Sequence, residues 1–180
     1  MHRASLMQRI RVPLGFLFGA VFAVYSKPTW AAIWTGAGIA ALGLLLRVWS
    51  AGHLRKHREL CISGPYRWSR NPLYLGSFFL GLGFSVAANN PWILLFFLIL
   101  FTAIYIPVMA KEEAELNRAY GSRYQEYRAE VPTFFPSLRP RQVSSGRNFS
   151  WEQVILNKEY KAAIGFVAVL FFLFVKLTWL

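Results

Sequence analysis

The sequence predicts an all-α fold: a polytopic membrane helical bundle of about five transmembrane helices. Three observations lead there. Of 180 residues, 56% are hydrophobic and 16% charged, and the mean hydropathy is +0.36, well away from the average soluble domain. Five apolar stretches stand out, near residues 12–25, 29–51, 73–88, 91–110 and 161–180, against the roughly 20 residues a bilayer crossing needs. Finally, the basic residues collect on one side of the alternating turns, as the positive-inside rule requires.

The first stretch follows Arg3, Arg9 and Arg11, the order of a signal peptide, but no A-x-A-like site follows and a second apolar stretch begins almost at once. A retained first span is the reading. The first and third stretches are short; Arg9 and Arg11 can snorkel, and Leu73 follows a proline suited to a helix start. Ser26-Lys27-Pro28 and Asn89-Asn90-Pro91 are turns tight enough to make spans 1 and 2, then 3 and 4, helical hairpins. Span 4 opens with Asn90 as N-cap and Pro91 at the first helical position. Pro107 cannot donate to the Ala103 carbonyl, which predicts a kink. That helix is expected to run on through Lys111 to Ala119 and stop at Gly121. Residues 132–146 read as an irregular basic connector. Ser150 and Gln153 form a capping box for the last helix, with Trp151, Lys158, Tyr160 and Lys161 at the interface. Three units result: an N-terminal hairpin (1–51), a central unit of loop, hairpin and double-Glu segment (52–140), and a connector with the C-terminal helix (141–180).

Formal charge is +12 with no aspartate. In a membrane chain basic residues report orientation rather than a nucleic-acid partner, so nucleic acid is discounted. Arg55, Lys56, Arg58, Arg67 and Arg70 lie between spans 2 and 3, and another group runs from Lys111 to Lys158; the opposite side carries only Lys27. The N-terminus and the large loops are therefore expected in the cytoplasm, and the C-terminus outside. Cys61, the single cysteine, excludes an intrachain disulfide and reads as a small apolar filler.

Two clusters could carry chemistry. Gly64-Pro65-Tyr66-Arg67-Trp68-Ser69-Arg70-Asn71-Pro72-Leu73-Tyr74-Leu75-Gly76 is either an interfacial loop anchored by arginines and aromatics or a cofactor cradle. In the second case Gly64 and Pro65 fix a turn, Asn71 and Pro72 fix the entry to span 3, and Tyr66 and Tyr74 offer faces to a cation. Glu112, Glu113 and Glu115 follow the Pro107 position. They are a solvated helix face, or Glu112 turns inward and accepts hydrogen bonds from an amine or from ribose hydroxyls. Gly81 and Gly83, with Gly76, Ser77 and Ser85, form a small-residue surface for which close helix packing is the default. His53 and His57 share an i, i+4 face but lack a third ligand, so no metal site is expected.

The spacing of the two clusters resembles the isoprenylcysteine carboxyl methyltransferase and phospholipid methyltransferase family of integral membrane enzymes. The first motif runs from Gly64 to Gly76. The second matches Glu112, Glu113, Leu116, Tyr120, Gly121, Tyr124, Tyr127, Val131 and Pro132. Together they cover roughly residues 57–136.

The resemblance implies S-adenosylmethionine held by cytoplasmic cofactor-binding loops, with contacts at Arg58, Glu59, Leu60, Cys61, Tyr66, Asn71, Pro72, Leu73, Tyr74, Glu112 and Glu113. Gly81 and Gly83 correspond to a G-x-G of the phospholipid branch. Asn71 stands where most members have His and Arg58 where His is common, which removes the usual candidate base. Val108 replaces an arginine that reads the substrate carboxylate in the prenylcysteine branch.

The expected activity is methyl transfer to a lipid-like or lipidated small substrate entering from the bilayer, with amine and carboxylate acceptors both open. The rival is a small transporter or a lipid-binding scaffold that keeps the motifs as structure. Few charges inside the spans, Arg47 being the main one, and the lack of an inverted repeat argue against transport.

Overall fold

A computed structural model describes residues 6–55, 59–142 and 148–179, with side chains from Pro13 onward. The described residues are all helix, turn and loop: α1 (Leu6–Tyr25), α2 (Trp30–His53), α3 (Pro72–Ala87), α4 (Pro91–Glu130), α5 (Trp151–Leu156) and α6 (Tyr160–Trp179). By length and composition α2, α4 and α6 can each cross a membrane, and the apolar segments Pro13–Tyr25 and Pro72–Ala87 are shorter. The protein is a polytopic helical membrane bundle.

Its tightest contact is the seam between α2 and α3. Gly36, Ala40 and Gly43 on α2 face Gly76, Gly83 and Ala87 on α3. A Cβ on Gly43 would stand 2.6 Å from the Gly76 carbonyl oxygen, and one on Gly83 would overlap the Ala40 nitrogen and the Gly36 oxygen. In lipid, where burying apolar surface gives helices little reason to associate, such backbone approach supplies the van der Waals contact. Gly81 lies beside this surface, where a Cβ would run into the Phe97 ring of α4.

The two short turns meet at one end of the bundle. The Lys27 amide donates to the Ala88 carbonyl (2.8 Å), the Asn89 side-chain amide to the Lys27 carbonyl (3.1 Å), and that of Asn90 to the Tyr25 carbonyl (2.9 Å). Asn90 also caps α4, its Oδ1 accepting from the Trp92 amide at 3.0 Å. Beneath these turns Phe22, Ile33, Ala87, Ala88, Ile93 and Leu173 form a core to which α1, α2, α3, α4 and α6 contribute.

Three expectations change. The backbone stays helical through Pro107, and the break falls at Gly121 (φ 51°, ψ −126°), a left-handed conformation that glycine adopts without steric cost. The helix does not stop there; it turns and resumes to Glu130. Ser150 is the N-cap of α5 but its side chain makes no capping bond. The last span is not continuous with that cap, because Lys158 at φ 60° separates α5 from α6.

What holds the α5–α6 break is polar. The Asn157 side-chain amide donates to the carbonyls of Ala51 (3.0 Å) and Leu54 (2.9 Å) at the end of α2, where the helix terminus leaves carbonyl oxygens free to accept further bonds. Glu159, 4% exposed, forms a bidentate pair with Arg47 of α2, both contacts 2.9 Å, and Arg47 also donates to the Ser77 hydroxyl of α3. The one charge expected inside span 2 is thus paired, as burial requires.

Candidate functional site

Opposite the end where the short turns meet, the loop before α3 and the middle of α4 enclose a cavity of about 440 Å³. It is assembled from the loop upward. Gly64 takes φ 56°, and a Cβ there would meet the His53 ring at 2.6 Å, so both conformation and space call for glycine. Pro65 then starts a single 3₁₀ turn, Gly64–Arg67, that buries Tyr66. Asn71 is the N-cap residue of α3 and Pro72 its first residue, as expected. Asn71 does not cap through its side chain, however; its Nδ2 donates to the Thr133 carbonyl at 2.9 Å.

That bond belongs to a larger joint. After α4 the chain runs back along the loop. The Arg70 amide donates to the Pro132 carbonyl (2.9 Å), that of Ser137 to Trp68 (2.8 Å), and that of Arg141 to Arg67 (3.0 Å). The Ser69 hydroxyl donates to the Phe134 carbonyl (2.8 Å). The segment read as an irregular basic connector is irregular, and its described residues are pinned to the first motif.

The turn at Gly121 brings Tyr124 and Tyr127, each 2% exposed, against Leu60 and Val131. The Tyr127 hydroxyl donates to the Tyr66 carbonyl at 2.8 Å, so the second motif grips the backbone of the first. Burial pushes the Tyr66, Tyr124 and Tyr127 hydroxyls above their ordinary values, with Arg70 partly offsetting this at Tyr124 and, more weakly, at Tyr127. They stay protonated donors at any physiological pH. Burial likewise pushes the Cys61 thiol up to about 11; it donates to the His53 carbonyl at 3.3 Å.

The two neighbouring glutamates have different surroundings. Glu112 lines the cavity and is exposed to it. Glu113 lies 3.0 Å from Arg70 and 2.9 Å from Arg128 through one oxygen, Oε1, in ion-pair contacts whose angles are not those of hydrogen bonds. Arg70 also donates to the Tyr124 hydroxyl (3.0 Å) and to that of Thr133. The Glu113 and Tyr124 contacts raise its pKa above the ordinary arginine value, against the lowering effect of burial.

Of the residues expected at the site, Glu59, Leu60, Cys61, Tyr66, Asn71, Leu73, Tyr74, Glu112 and Glu113 all line this cavity. Pro72 is buried at the start of α3 beside it. Gly81 and Gly83 are elsewhere, in the helix contacts described above. Arg58 lies outside the described residues. The wall also includes Leu54, Met109 and Ala119, which the sequence did not single out, Arg55, read there only as an orientation charge, and Arg70, Glu115, Leu116, Tyr120, Tyr124 and Tyr127, which it quoted only as members of the two clusters or as motif positions. The spacing of those tyrosines was the available signal; that they would face the loop depended on the Gly121 turn. Tyr74 meets Tyr105 edge to face (centroids 5.2 Å), and Tyr105 stacks on Phe101 at 4.3 Å, so an aromatic column leads from the cavity wall along α4. Among the described residues no three His, Cys, Asp or Glu side chains are placed to hold a metal ion.

Comparison with known proteins gives a consistent result. The chain is similar to the protein-S-isoprenylcysteine O-methyltransferase of Xenopus laevis, 32% identical over 80 residues, covering 44% of this chain and 28% of the relative. The enzyme of the same name from Schizosaccharomyces pombe is 26% identical over 140 residues, 75% of this chain and 59% of the relative. The nickel-cobalt-cadmium resistance protein NccN of Alcaligenes xylosoxydans is 28% identical over 118 residues, 61% and 55%. The chain thus spans between about a quarter and three fifths of these curated relatives. No solved structure matches it. Residues 31–123 match the phospholipid methyltransferase family, a span that takes in the α2–α3 seam, the whole first motif and the glutamates on the cavity wall. With more than half of its length in that match, the chain belongs to the phospholipid methyltransferase family.

Proposed function

We propose that the protein transfers a methyl group from S-adenosylmethionine to a lipid-like or lipidated small substrate that reaches the cavity from the bilayer. The observation that carries the reading is a cavity in which both motifs meet, Glu59 to Tyr74 on one wall and Met109 to Tyr127 on the other. A volume of about 440 Å³ suits a ligand of nucleoside size. Its lining suits this donor too. Glu59 and Glu112 offer carboxylates to an ammonium and to ribose hydroxyls, Leu60 and Leu116 offer apolar surface to a base, and Tyr66 and Tyr74 offer aromatic groups beside a cation.

The donor supplies an electrophilic methyl group on a sulfonium, so the protein's task is alignment and exclusion of water. Burying Tyr66 and tying its carbonyl to Tyr127 holds one wall fixed against the other. Glu113, already engaged by Arg70 and Arg128, serves that wall rather than the ligand, while Glu112 and Glu59 on the cavity wall hold the donor's polar end. A carboxylate acceptor needs no base; an amine acceptor must first lose a proton, and Asn71 at the usual histidine position cannot take one. The basic residues of the surrounding loops support a cytoplasmic position for the cavity.

The test is calorimetric binding of S-adenosylmethionine and S-adenosylhomocysteine to detergent-purified protein, followed by transfer of radiolabelled methyl to lipid extracts. Glu112→Ala and Tyr74→Ala should each weaken donor binding at least about tenfold, the scale of a lost charged hydrogen bond or aromatic contact. Absence of binding by a folded preparation overturns the proposal.

A further inference from the structure

Residues 132–140 present a feature that neither the cavity nor the bundle uses. Phe134 turns back into the helices, its ring 5.9 Å from Phe78 of α3 and 6.0 Å from Phe101 of α4. The side chains next to it point away: Phe135 is 71% exposed and Leu138 fully exposed, followed by exposed Arg139. Leaving two large apolar side chains in water is unfavourable, so this surface calls for an apolar partner.

The depth of Phe134 identifies that partner. α3 has 16 residues, about 24 Å of helix, against about 30 Å of hydrocarbon. A span that short leaves its ends at or inside the edge of the apolar slab. Phe78 is six residues into α3, about 9 Å further along its axis. A ring packed against Phe78 therefore lies within the acyl region, and the neighbouring residues lie at its boundary. Apolar side chains followed by arginines, here Arg139 and Arg141, are what that boundary favours.

We propose that residues 132–140 form a wedge that dips into the leaflet next to the cavity. Phe134 closes the gap between α3 and α4, Phe135 and Leu138 enter the acyl boundary, and Arg139 stays at headgroup level. The wedge shares its backbone bonds with Arg70 and Asn71 of the cavity wall, so lipid contact and cavity shape are joined through one segment. This inference rests on the membrane assignment and is independent of methyl transfer.

Nitroxide accessibility in proteoliposomes tests it. Phe135→Cys, Leu138→Cys and, as a water-facing control beyond the Gly121 turn, Gln125→Cys are labelled singly in a Cys61→Ser background, with Cys61→Ala as a second background. Labels at 135 and 138 should collide with oxygen more than with a nickel chelate, and the label at 125 should do the reverse. Chelate-accessible labels at 135 and 138 overturn the wedge. So does protection from both reagents, which would mean that protein, a second copy or another chain, covers the segment.

Discussion

The α2–α3 seam and the cavity are built from overlapping stretches of sequence, yet they work in opposite ways. At the seam every feature removes space: glycine faces glycine across it, and a Cβ on Gly36, Gly43, Gly76 or Gly83 would strike backbone. At the cavity side chains are held apart. Tyr66 is fixed by burial and by Tyr127, Arg70 and Arg128 share Glu113, and the space between is left open. The seam is rigid because its contacts are backbone to backbone, and that rigidity lets the loop that ends at Pro72 keep its shape beside an open volume. Family membership alone does not draw this distinction, since Gly76 closes the first motif and also belongs to the seam.

If the comparison is right, changes near the seam should cost stability while changes at the cavity alter access and binding. The largest effect is expected at the polar anchor of α2. Arg47→Met leaves Glu159 buried without its partner and should cost about 3–5 kcal/mol, read as a lower unfolding midpoint in detergent. Adding Glu159→Leu should recover most of it, and no recovery would show that Arg47 acts through packing alone. Next comes the thiol in the cavity wall. A pKa moved from 9.0 to about 11 leaves roughly a hundredfold fewer thiolates at pH 8 than an ordinary cysteine has. Alkylation of Cys61 should be slower than that of a free thiol by at least this factor, rising about tenfold per pH unit until near pH 11. Fast labelling at pH 8 would mean that the wall is not closed. The sign for stability follows: the raised value favours the protonated fold, so this contribution is intact below the unfolded thiol's pKa and is lost as pH climbs through about 11. The smallest shift is expected for Gly83→Ala, about 1–3 kcal/mol from overpacking, with donor affinity unchanged per folded molecule. A loss of affinity without loss of stability would put Gly83 at the ligand after all.

Much of this was legible beforehand because membrane insertion imposes simple rules. Hydrocarbon demands long apolar segments, so the helices could be located by composition; proline and asparagine punctuate their starts, as Asn90 and Pro91 do for α4. Small residues at helical spacing announced the seam, and the default reading of Gly81 and Gly83 as packing positions agrees with where they lie. The two motifs were also visible as clusters of turn, aromatic and acidic residues. What escaped were long-range polar contacts. The Arg47–Glu159 pair joins residues 112 apart in sequence, and the bonds from Ser69 and Asn71 to Phe134 and Thr133 involve a segment whose composition resembles any basic linker.

The sequence by itself determined that this chain lives in a bilayer, where its helices lie, and that two motifs stand on the same side of it, because hydrophobicity, turn chemistry and charge bias act locally. Only the tertiary structure decided which of the two neighbouring glutamates on the cavity wall is braced by arginines, that α4 turns at Gly121 instead of ending there, and that residues 132–140 fold back onto the bundle. Those outcomes depend on which partners arrive from distant parts of the chain: Glu112 and Glu113 are the same residue type one position apart, and only Arg70 and Arg128 tell them apart.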